Sequence, residues 1–439
     1  MATISGLLNQ TETGMADWSQ LHPELLDFIA KKFKIYTDYV RFRAVCHNWR
    51  ASVPKTPHHL PTQLPWLMLP QSQPHHTHRP FFSLSLNKFH FLQLPEASHR
   101  RRRRGSSHGW LLILDEAPEI FLLNPLTRSK VHLPPLSTFP NVVRFNFADV
   151  GREYALRTSS GDVYTRSLKK MRDSFIKKTI LSSSPANGSD FIAVVILNQT
   201  GDLALCRKSD DSWTFLEDAQ SYSEDVIFHR GLFYAVNKYG SIAVCDVSGS
   251  SPRVSIIEMP QQFGGDLQYL VESGEELLLV TRYLDLTYDV EPDQTSLIYR
   301  TTRFQVCRLD LKAPRWEVVS SLGDRALFLG ENLSLSLSSV DFPGCKGNCI
   351  YYTDDYSEDN YDGIGCEQDL GIFNLEDGSI EPLPCSHFRI RWPPPLWVTP
   401  NPCWIGVILV VTCKYNCSYS VSMPNLYILV IVVIISHSW

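Results

Sequence analysis

The sequence predicts a mainly β protein, with a small N-terminal α-helical part followed by a β-propeller of about six or seven blades. Two observations lead to this prediction. Helical periodicity of apolar residues is confined to residues 18–52. From residue 81 to residue 384, apolar runs of about five residues alternate with Gly, Pro, Asn, Asp and Ser, a pattern typical of short strands joined by turns.

The N-terminal helical stretch has apolar residues at three-, four- and five-residue steps, so most of them lie on one broad helical face. Pro23 suits a first helical turn, and Thr37 or Asp38 can cap a second helix. A unit of fewer than about 40 residues rarely makes a stable core alone. We therefore expect another protein to cover part of this apolar face.

Within this stretch, the motif Leu21-x-Pro23-Glu24-Leu25-Leu26-x-x-Ile29, followed by Val45-Cys46-x-x-Trp49-Arg50, resembles an F-box. His22 departs from the usual motif, which opens with Leu-Pro directly. The resemblance implies docking onto a Skp-type adaptor and, through it, a cullin. The residues expected to contact the adaptor are Leu21, Pro23, Leu25, Leu26, Ile29, Val45, Cys46, Trp49 and Arg50. The alternative is a helical hairpin packed on the chain's own C-terminal domain.

Two segments flank the helical stretch, which we place at residues 16–53. Residues 1–15 are polar and patternless, so we expect them to be disordered and they carry no secretory signal. Residues 54–80 are rich in Pro and His, and predict an extended connector because Pro blocks both helix and central strand. The bunched histidines lack a framework that would fix ligand geometry, so no metal site is predicted.

The β region contains segments that share one order of strands and turns, at residues 191–218, 226–260 and 349–384. Each predicts an antiparallel meander, and such sheets bury both faces by stacking radially against like sheets. Strand candidates include Trp110–Leu114, Leu277–Thr281 and Phe304–Asp310. Dividing about 320 residues by a blade length of ~40–50 predicts six to eight blades. A two-layer β-sandwich is the alternative.

Further motifs bring the β region close to a known family. Phe304–Gly330 resembles a kelch-like blade. The chain resembles the plant F-box proteins that carry a KIB-type β-propeller, at GSSHGWL (105–111), FLLNPLT (121–127), LPP (133–135), VIFHRGLFYAV (226–236) and PPxWVTP (394–400). The resemblance extends over about residues 16–402 and implies a propeller over residues 81–402. We interpret these motifs as structural, with Gly105 and Gly109 allowing a close backbone approach; neither catalytic residues nor a cofactor are predicted.

Charge and cysteine usage narrow the compartment and the partners. The net charge of −5 gives no general attraction to nucleic acid or to an anionic membrane. Eleven cysteines without regular spacing predict reduced thiols in a cytoplasmic or nuclear protein. Arg100–Arg104 predicts a solvated surface loop, with a nuclear-import signal as one interpretation. The acidic stretch at residues 354–362 lacks the EF-hand pattern, and the cysteines at 345, 349 and 366 lack the paired spacing of a zinc site.

The composition changes sharply after Pro402. Residues 403–439 contain two apolar runs, neither of which reaches the roughly twenty residues that span a bilayer as a helix. We interpret this tail as atypical of the family and as a product of gene prediction or a variant terminus. A short membrane anchor is the alternative.

These features together predict a function. The chain is expected to be the substrate-recognition subunit of an SCF-type ubiquitin ligase, with the F-box binding the adaptor and the propeller binding a target protein. It would perform no chemistry itself. The alternatives are a propeller scaffold outside any ligase, and a sugar-binding or enzymatic propeller. The identity of the target protein cannot be read from the sequence.

Overall fold

The computed structural model divides the chain into two compact units, Met1–Gln63 and Leu64–Trp439. It describes residues 17–54, 57, 59–70, 77–97, 102–115, 117–185, 189–259, 264–291, 294–310, 312–355, 369–385 and 394–401, with the backbone alone at 102–103, 288–291 and 294–297. The expectations for residues 1–15, for most of the acidic stretch and for residues 403–439 lie outside these ranges. No helix in the described ranges is long and apolar enough to cross a membrane.

The N-terminal unit consists of a 3-10 turn at Trp18–Gln20 and three helices, α1 (Pro23–Ala30), α2 (Tyr36–Ala44) and α3 (His47–Ser52). Pro23 opens α1 as predicted. The predicted cap of α2 is wrong: the helix begins before Thr37, because the side chain of Gln63 accepts a hydrogen bond from the Tyr36 N–H at 2.8 Å. The core of this unit is formed by Leu26, Ala30, Tyr39, Phe42 and Val53.

The second unit begins with two four-stranded sheets, which we call the first and second blades. The first contains β1 (Trp66–Met68), β2 (His78–Ser83), β3 (Lys88–Gln93) and a fourth strand from near residue 400; the second contains β4 (Arg102–Ser107), β5 (Trp110–Leu114), β6 (Ile120–Leu123) and β7 (Lys130–Leu133). A three-stranded sheet follows, with β8 (Val142–Phe145), β9 (Tyr154–Arg157) and β10 (Val163–Arg166), and then helix α4 (Leu168–Ser174).

Four further sheets complete the unit. The third blade contains β11 (Ile176–Leu181), β12 (Ile192–Leu197), β13 (Leu203–Arg207) and β14 (Thr214–Phe215); the fourth contains β15 (Asp225–His229), β16 (Leu232–Val236), β17 (Ile242–Asp246) and β18 (Arg253–Ile257). The fifth contains β19 (Leu267–Ser273), β20 (Glu276–Glu291), β21 (Gln294–Asp310) and β22 (Arg315–Val318); the sixth contains β23 (Arg325–Leu329), β24 (Leu335–Ser338), β25 (Cys349–Tyr352), β26 (Gly371–Asn374) and β27 (Ile380–Glu381). The last described strand, β28 (Leu396–Val398), pairs with β1 and completes the first blade.

Six of these sheets form a closed ring. Six apolar clusters of buried side chains lie in the described part of this unit, and each joins two neighbouring blades, the last joining the sixth blade to the first. The sheet β8–β10 contributes only to the cluster between the second and third blades, whose strands β4 and β11 already contact each other. The predicted β-propeller is confirmed, and six blades form its ring. A sandwich is excluded because every blade packs between two others.

Closure of the ring brings the two ends of the propeller into one blade. Trp66 pairs with Val398 and Leu67 with Trp397 in antiparallel register. The Trp397 side chain is buried and lies edge-on to Phe328 of the sixth blade, with ring centroids 5.2 Å apart. Strand β28 is therefore held both by β1 within the first blade and by Phe328 of the sixth blade.

Two sequence predictions differ from this fold. The predicted connector at residues 54–80 contains β1 and the start of β2. Strand β1 is formed by three apolar residues that lie between Pro65 and Pro70, so neither Pro interrupts its pairing. The predicted loop at Arg100–Arg104 is wrong from residue 102 onward, where β4 begins. Arg104 is buried because it pairs with Glu331 at 3.1 Å and donates to the Asp173 carbonyl.

Candidate protein-binding surfaces

Helix α1 carries apolar side chains on two faces. Leu26 and Ala30 lie in the core of the N-terminal unit. Leu25, Phe28 and Ile29, spaced to share another face, are 53%, 59% and 38% exposed. The helix therefore packs with one apolar face and leaves the second uncovered by its own unit.

The segment before α1 extends this exposed face. The indole N–H of Trp49 in α3 donates to the Trp18 carbonyl at 2.8 Å, and the Asn48 side-chain amide donates to the Ser19 carbonyl at 2.8 Å. These bonds hold the 3-10 turn on α3, while the Trp18 side chain remains 67% exposed. Val45, at the end of α2, is 58% exposed. We refer to Trp18, Leu25, Phe28, Ile29 and Val45 as the apolar helix surface.

The residues predicted to contact the adaptor separate into three groups. Pro23, Leu25, Ile29, Val45 and Arg50 are exposed, whereas Leu21, Cys46 and Trp49 are half-buried. Cys46 caps α3 by accepting the Trp49 N–H at 3.5 Å. Leu26 forms the third group: it has no exposed surface, because α1 directs it into the core among Tyr39, Phe42 and Val53. Contact of these residues with an adaptor stays a prediction.

Two exposed members of the apolar helix surface, Trp18 and Phe28, were not among the predicted contact residues. Phe28 lies three residues after Leu25, so helical spacing alone could have identified it. The exposure of Trp18 depends on hydrogen bonds to residues 48 and 49, which have no signature in the local sequence. The Lys32 ammonium lies 4.8 Å from the centroid of the Phe28 ring, so the rim of this surface is cationic there.

The propeller has a polar pocket where its inner strands begin. The pocket is small and opens to solvent; its lining includes Arg104, Lys178, Gln268, Tyr269, Glu331 and Asp355. Its charges are largely paired internally, since Arg104 lies 3.1 Å from Glu331 and Lys178 lies 2.7 Å from Asp225. The pocket therefore offers polar rather than apolar contacts.

A buried ionic cluster lies beside this pocket. The Arg282 guanidinium is fully buried and lies 3.1 Å from Asp355 and 2.8 Å from Asp369. The Tyr299 hydroxyl donates to Asp354 at 2.7 Å. Burial raises the pKa of Asp354 to about 7. The cluster joins the fifth and sixth blades where strands β20 and β21 leave the body of the propeller.

Comparison with known proteins gives one family match and close relatives. Residues 81–374 match the family described as KIB1-4 beta-propeller. The chain is 31% identical to the F-box protein SKIP23 of Arabidopsis thaliana, over 88% of this chain and 96% of that protein. It is 29% identical to the F-box protein At2g17036 of the same plant, over 88% and 95%. Among solved structures, TolB from Acinetobacter baumannii aligns with 81% of this chain and 71% of its own, with 10% identity and a TM-score of 0.31.

Proposed function

Because this chain belongs to the plant F-box proteins that carry a KIB1-4 β-propeller, we propose that it is the substrate-recognition subunit of an SCF-type ubiquitin ligase. In this proposal the N-terminal unit binds a Skp-type adaptor and, through it, a cullin. The propeller binds the protein to be modified. The chain itself performs no chemistry, and it acts in the cytoplasm or the nucleus.

The observation that supports this proposal is the apolar helix surface. Helix α1 has eight residues and exposes Leu, Phe and Ile on its second face. Contiguous exposed apolar side chains of this kind are typical of a surface that another protein covers. Removing a fully exposed side chain of this size from water is worth about 1.5–3 kcal/mol, and the half-exposed side chains here would supply a fraction of that before the entropic costs of association. Trp is among the residue types enriched at interface hot spots, and Trp18 is the Trp of this surface.

The proposed mechanism is one of positioning. The adaptor and cullin would hold the bound target so that one of its lysines meets a ubiquitin-charged conjugating enzyme. Holding two reactants together replaces a bimolecular encounter by an effectively unimolecular step. Specificity would then depend on which protein the propeller binds.

The adaptor contact is tested by Leu25→Ala combined with Phe28→Ala in the full chain, co-expressed with a plant Skp-type adaptor. Both side chains are exposed, so we expect an unchanged circular dichroism spectrum and loss of co-purification. Val318→Ala, at a 69% exposed position in the fifth blade, is the matched control and should co-purify normally. Undiminished capture of the adaptor by the double variant would refute the proposed contact.

Ligase activity is tested separately from adaptor binding. The full chain, adaptor and cullin are reconstituted with ubiquitin-activating and -conjugating enzymes, and target proteins are first captured with the Leu25→Ala, Phe28→Ala variant. We expect captured targets to be ubiquitylated only by the unmodified chain. Binding of targets without any ubiquitin transfer would instead indicate a scaffold.

A further inference from the structure

Strands β20 and β21 are much longer than the strands on either side of them. They contain 16 and 17 residues, whereas β19 and β22 contain 7 and 4. Pairing with β19 ends at Arg282, and pairing with β22 ends at Cys307. Residues 284–291 and 294–301 therefore continue as a two-stranded ribbon, which we call the ribbon.

Two aspartates close the edges of the ribbon at its base. The Leu284 N–H donates to the Asp266 carboxylate at 2.7 Å, and the Thr301 N–H donates to the Asp369 carboxylate at 2.8 Å. Leu284 and Thr301 are directly opposite each other in the β20–β21 pair. Because both N–H groups point outward, this is a non-hydrogen-bonded pair of the antiparallel ladder.

The alternation of the ladder then defines the next outward-facing pair. Non-hydrogen-bonded pairs recur every second residue, so Leu286 and its opposite residue Tyr299 form another one. The backbone N–H and C=O of Leu286 consequently point away from β21. Within the described ranges no strand pairs with β20 on that side, and the Leu286 side chain is 42% exposed.

An edge of this kind is a template for another strand. A two-stranded hairpin is marginally stable by itself, and unpaired backbone groups along an edge accept an added strand readily. Proteins use this property to bind extended peptides, with main-chain hydrogen bonds providing affinity.

The charge of the edge indicates what the added strand carries. The β20 part of the ribbon contains Asp285, Asp289 and Glu291 in its sequence and neither Lys nor Arg. Asp285 lies opposite Arg300 of β21, whereas Asp289 and Glu291 lie opposite the uncharged residues Ser296 and Gln294, so the edge is acidic overall. Opposite charges across paired strands stabilise a sheet, and like charges directly opposite destabilise it. A second copy of the same acidic edge is therefore a poor partner, whereas a strand bearing Lys or Arg is a good one.

We propose that the β20 edge of the ribbon, centred on Leu286, binds an extended basic segment of the target protein as an added antiparallel or parallel strand. This inference rests on the proposed role of the propeller as the substrate-binding domain. It names the chemistry of the segment that the propeller recognises: alternating Lys or Arg with residues of high β-propensity.

The probe is a fluorescent peptide of about eight residues, the length of the β20 edge, that alternates Lys with Thr and Val. A matched peptide has Glu in place of Lys. Binding is measured by fluorescence anisotropy with the purified full chain, and adaptor capture is measured separately. We expect the Lys peptide to bind, and the Glu peptide to bind about tenfold more weakly or not at all. Equal binding of the two peptides would overturn the charge argument.

Leu286→Pro and Leu286→Ala separate main-chain pairing from side-chain contact. Pro removes the outward N–H without removing a β20–β21 hydrogen bond, whereas Ala keeps the N–H and shortens the side chain. We expect Pro to weaken binding of the Lys peptide by about tenfold or more, and Ala by less than about threefold. Equal losses in the two variants would overturn strand addition in favour of a side-chain contact.

Two further measurements keep the test decisive. If Leu286→Pro fails to fold, Asp285→Asn with Asp289→Asn should still weaken binding of the Lys peptide, and an unchanged affinity would contradict the proposal. Adaptor capture should be normal for every ribbon variant. A chain that binds the Lys peptide but no adaptor would refute the proposed ligase role while leaving the ribbon site intact.

Discussion

The Arg282 guanidinium lies 2.8 Å from the Asp369 carboxylate, at a place where neither group is more than a tenth exposed. The same guanidinium contacts Asp355 at 3.1 Å and donates to the Thr301 hydroxyl at 2.7 Å. Asp369 in turn accepts the Thr301 N–H at the base of the ribbon. One buried cation thus connects strand β20, strand β21 and two segments of the sixth blade.

Removing that cation should destabilise the propeller strongly. Arg282→Met leaves two buried carboxylates without their partner, which typically costs about 3–5 kcal/mol of unfolding free energy. Urea denaturation followed by tryptophan fluorescence measures the loss. Arg308→Met is the control, because Arg308 also pairs with two carboxylates, Glu276 and Glu317, but at a half-exposed site where solvent screens the pairs. Similar midpoints for the two variants would contradict a structural role for the buried cluster.

Asp354 should make the stability of the propeller depend on pH. Its pKa is raised to about 7 by burial, whereas an unfolded Asp titrates near 3.9. Between these values the folded state holds a proton that the unfolded state has lost, so the stabilisation present at low pH is lost as the pH rises toward about 7. We therefore expect the contribution of Asp354 to the unfolding free energy to fall from pH 5 to pH 7 and then to level off, while the buried His90 and His108, whose pKa values are lowered, contribute in the opposite direction.

Asp354→Asn should remove the Asp354 contribution, so that between pH 5 and pH 7 the stability of the variant falls less than that of the unmodified chain, or rises. The amide keeps one of the two acceptors that Tyr299 and the Asp369 N–H use, so it shifts stability by a constant amount at every pH. The slope from pH 5 to pH 7 is therefore the readout, measured by urea titrations at each pH. Asp246→Asn is the control: the pKa of Asp246 is lowered to about 2 by hydrogen bonds from Ser248, so its effect lies below this window. An unaltered slope in Asp354→Asn would show that another group titrates.

Leu26 and Val45 should respond differently to truncation, although both belong to the F-box motif. Leu26→Ala removes a fully buried side chain and should destabilise the N-terminal unit by about 2–5 kcal/mol. Val45→Ala removes an exposed one and should change stability by less than about 0.5 kcal/mol. Amide hydrogen exchange of α1 and α2 in the full chain measures the loss of local stability in each variant. Equal protection in the two variants would contradict the core position of Leu26.

The sequence predicted short strands between turns well, and it predicted the long extensions of β20 and β21 poorly. The predicted strand Trp110–Leu114 has the bounds of β5, because five consecutive apolar residues between two turns define both ends of a strand. Strands β20 and β21 were predicted only at Leu277–Thr281 and Phe304–Asp310. The extension of β20 alternates Leu, Tyr and Val with Asp, Thr and Glu, whereas the extension of β21 mixes polar and apolar residues. Neither sequence contains a turn signal that defines where the strand stops.

The candidate site shows the same division. The motif residues identified the F-box, but a helix with two apolar faces does not reveal which face is buried, and this is why Leu26 was assigned to the partner. The burial of Arg282 was not predictable, since its partners Asp355 and Asp369 are 73 and 87 residues away in the chain. Arg104 was assigned to solvent because its partner Glu331 is 227 residues away.

Gly109 should be required for closure of the ring between the first and second blades. It follows β4 in a turn with φ of +80°, and a Cβ there would lie 2.5 Å from the Thr399 carbonyl oxygen and from the Asn401 side chain. Asn401 also donates to the His108 carbonyl at 2.7 Å, so the chain after β28 is held on this turn and has little room to move. Gly109→Ala therefore combines the cost of a positive φ, about 1–2 kcal/mol, with an overpacking cost of about 1–3 kcal/mol.

Gly231 provides a closely matched comparison for that variant. It occupies the equivalent turn after β15, with φ of +87°, but a Cβ there would meet no atom within 4 Å. Gly231→Ala should thus incur the backbone cost alone, and thermal unfolding of both variants measures the difference. A lower melting temperature for Gly109→Ala than for Gly231→Ala is expected, because only the first substitution pushes the chain after β28 away from the second blade. Equal melting temperatures would mean that residues 399–401 do not hold the ring closed at this turn.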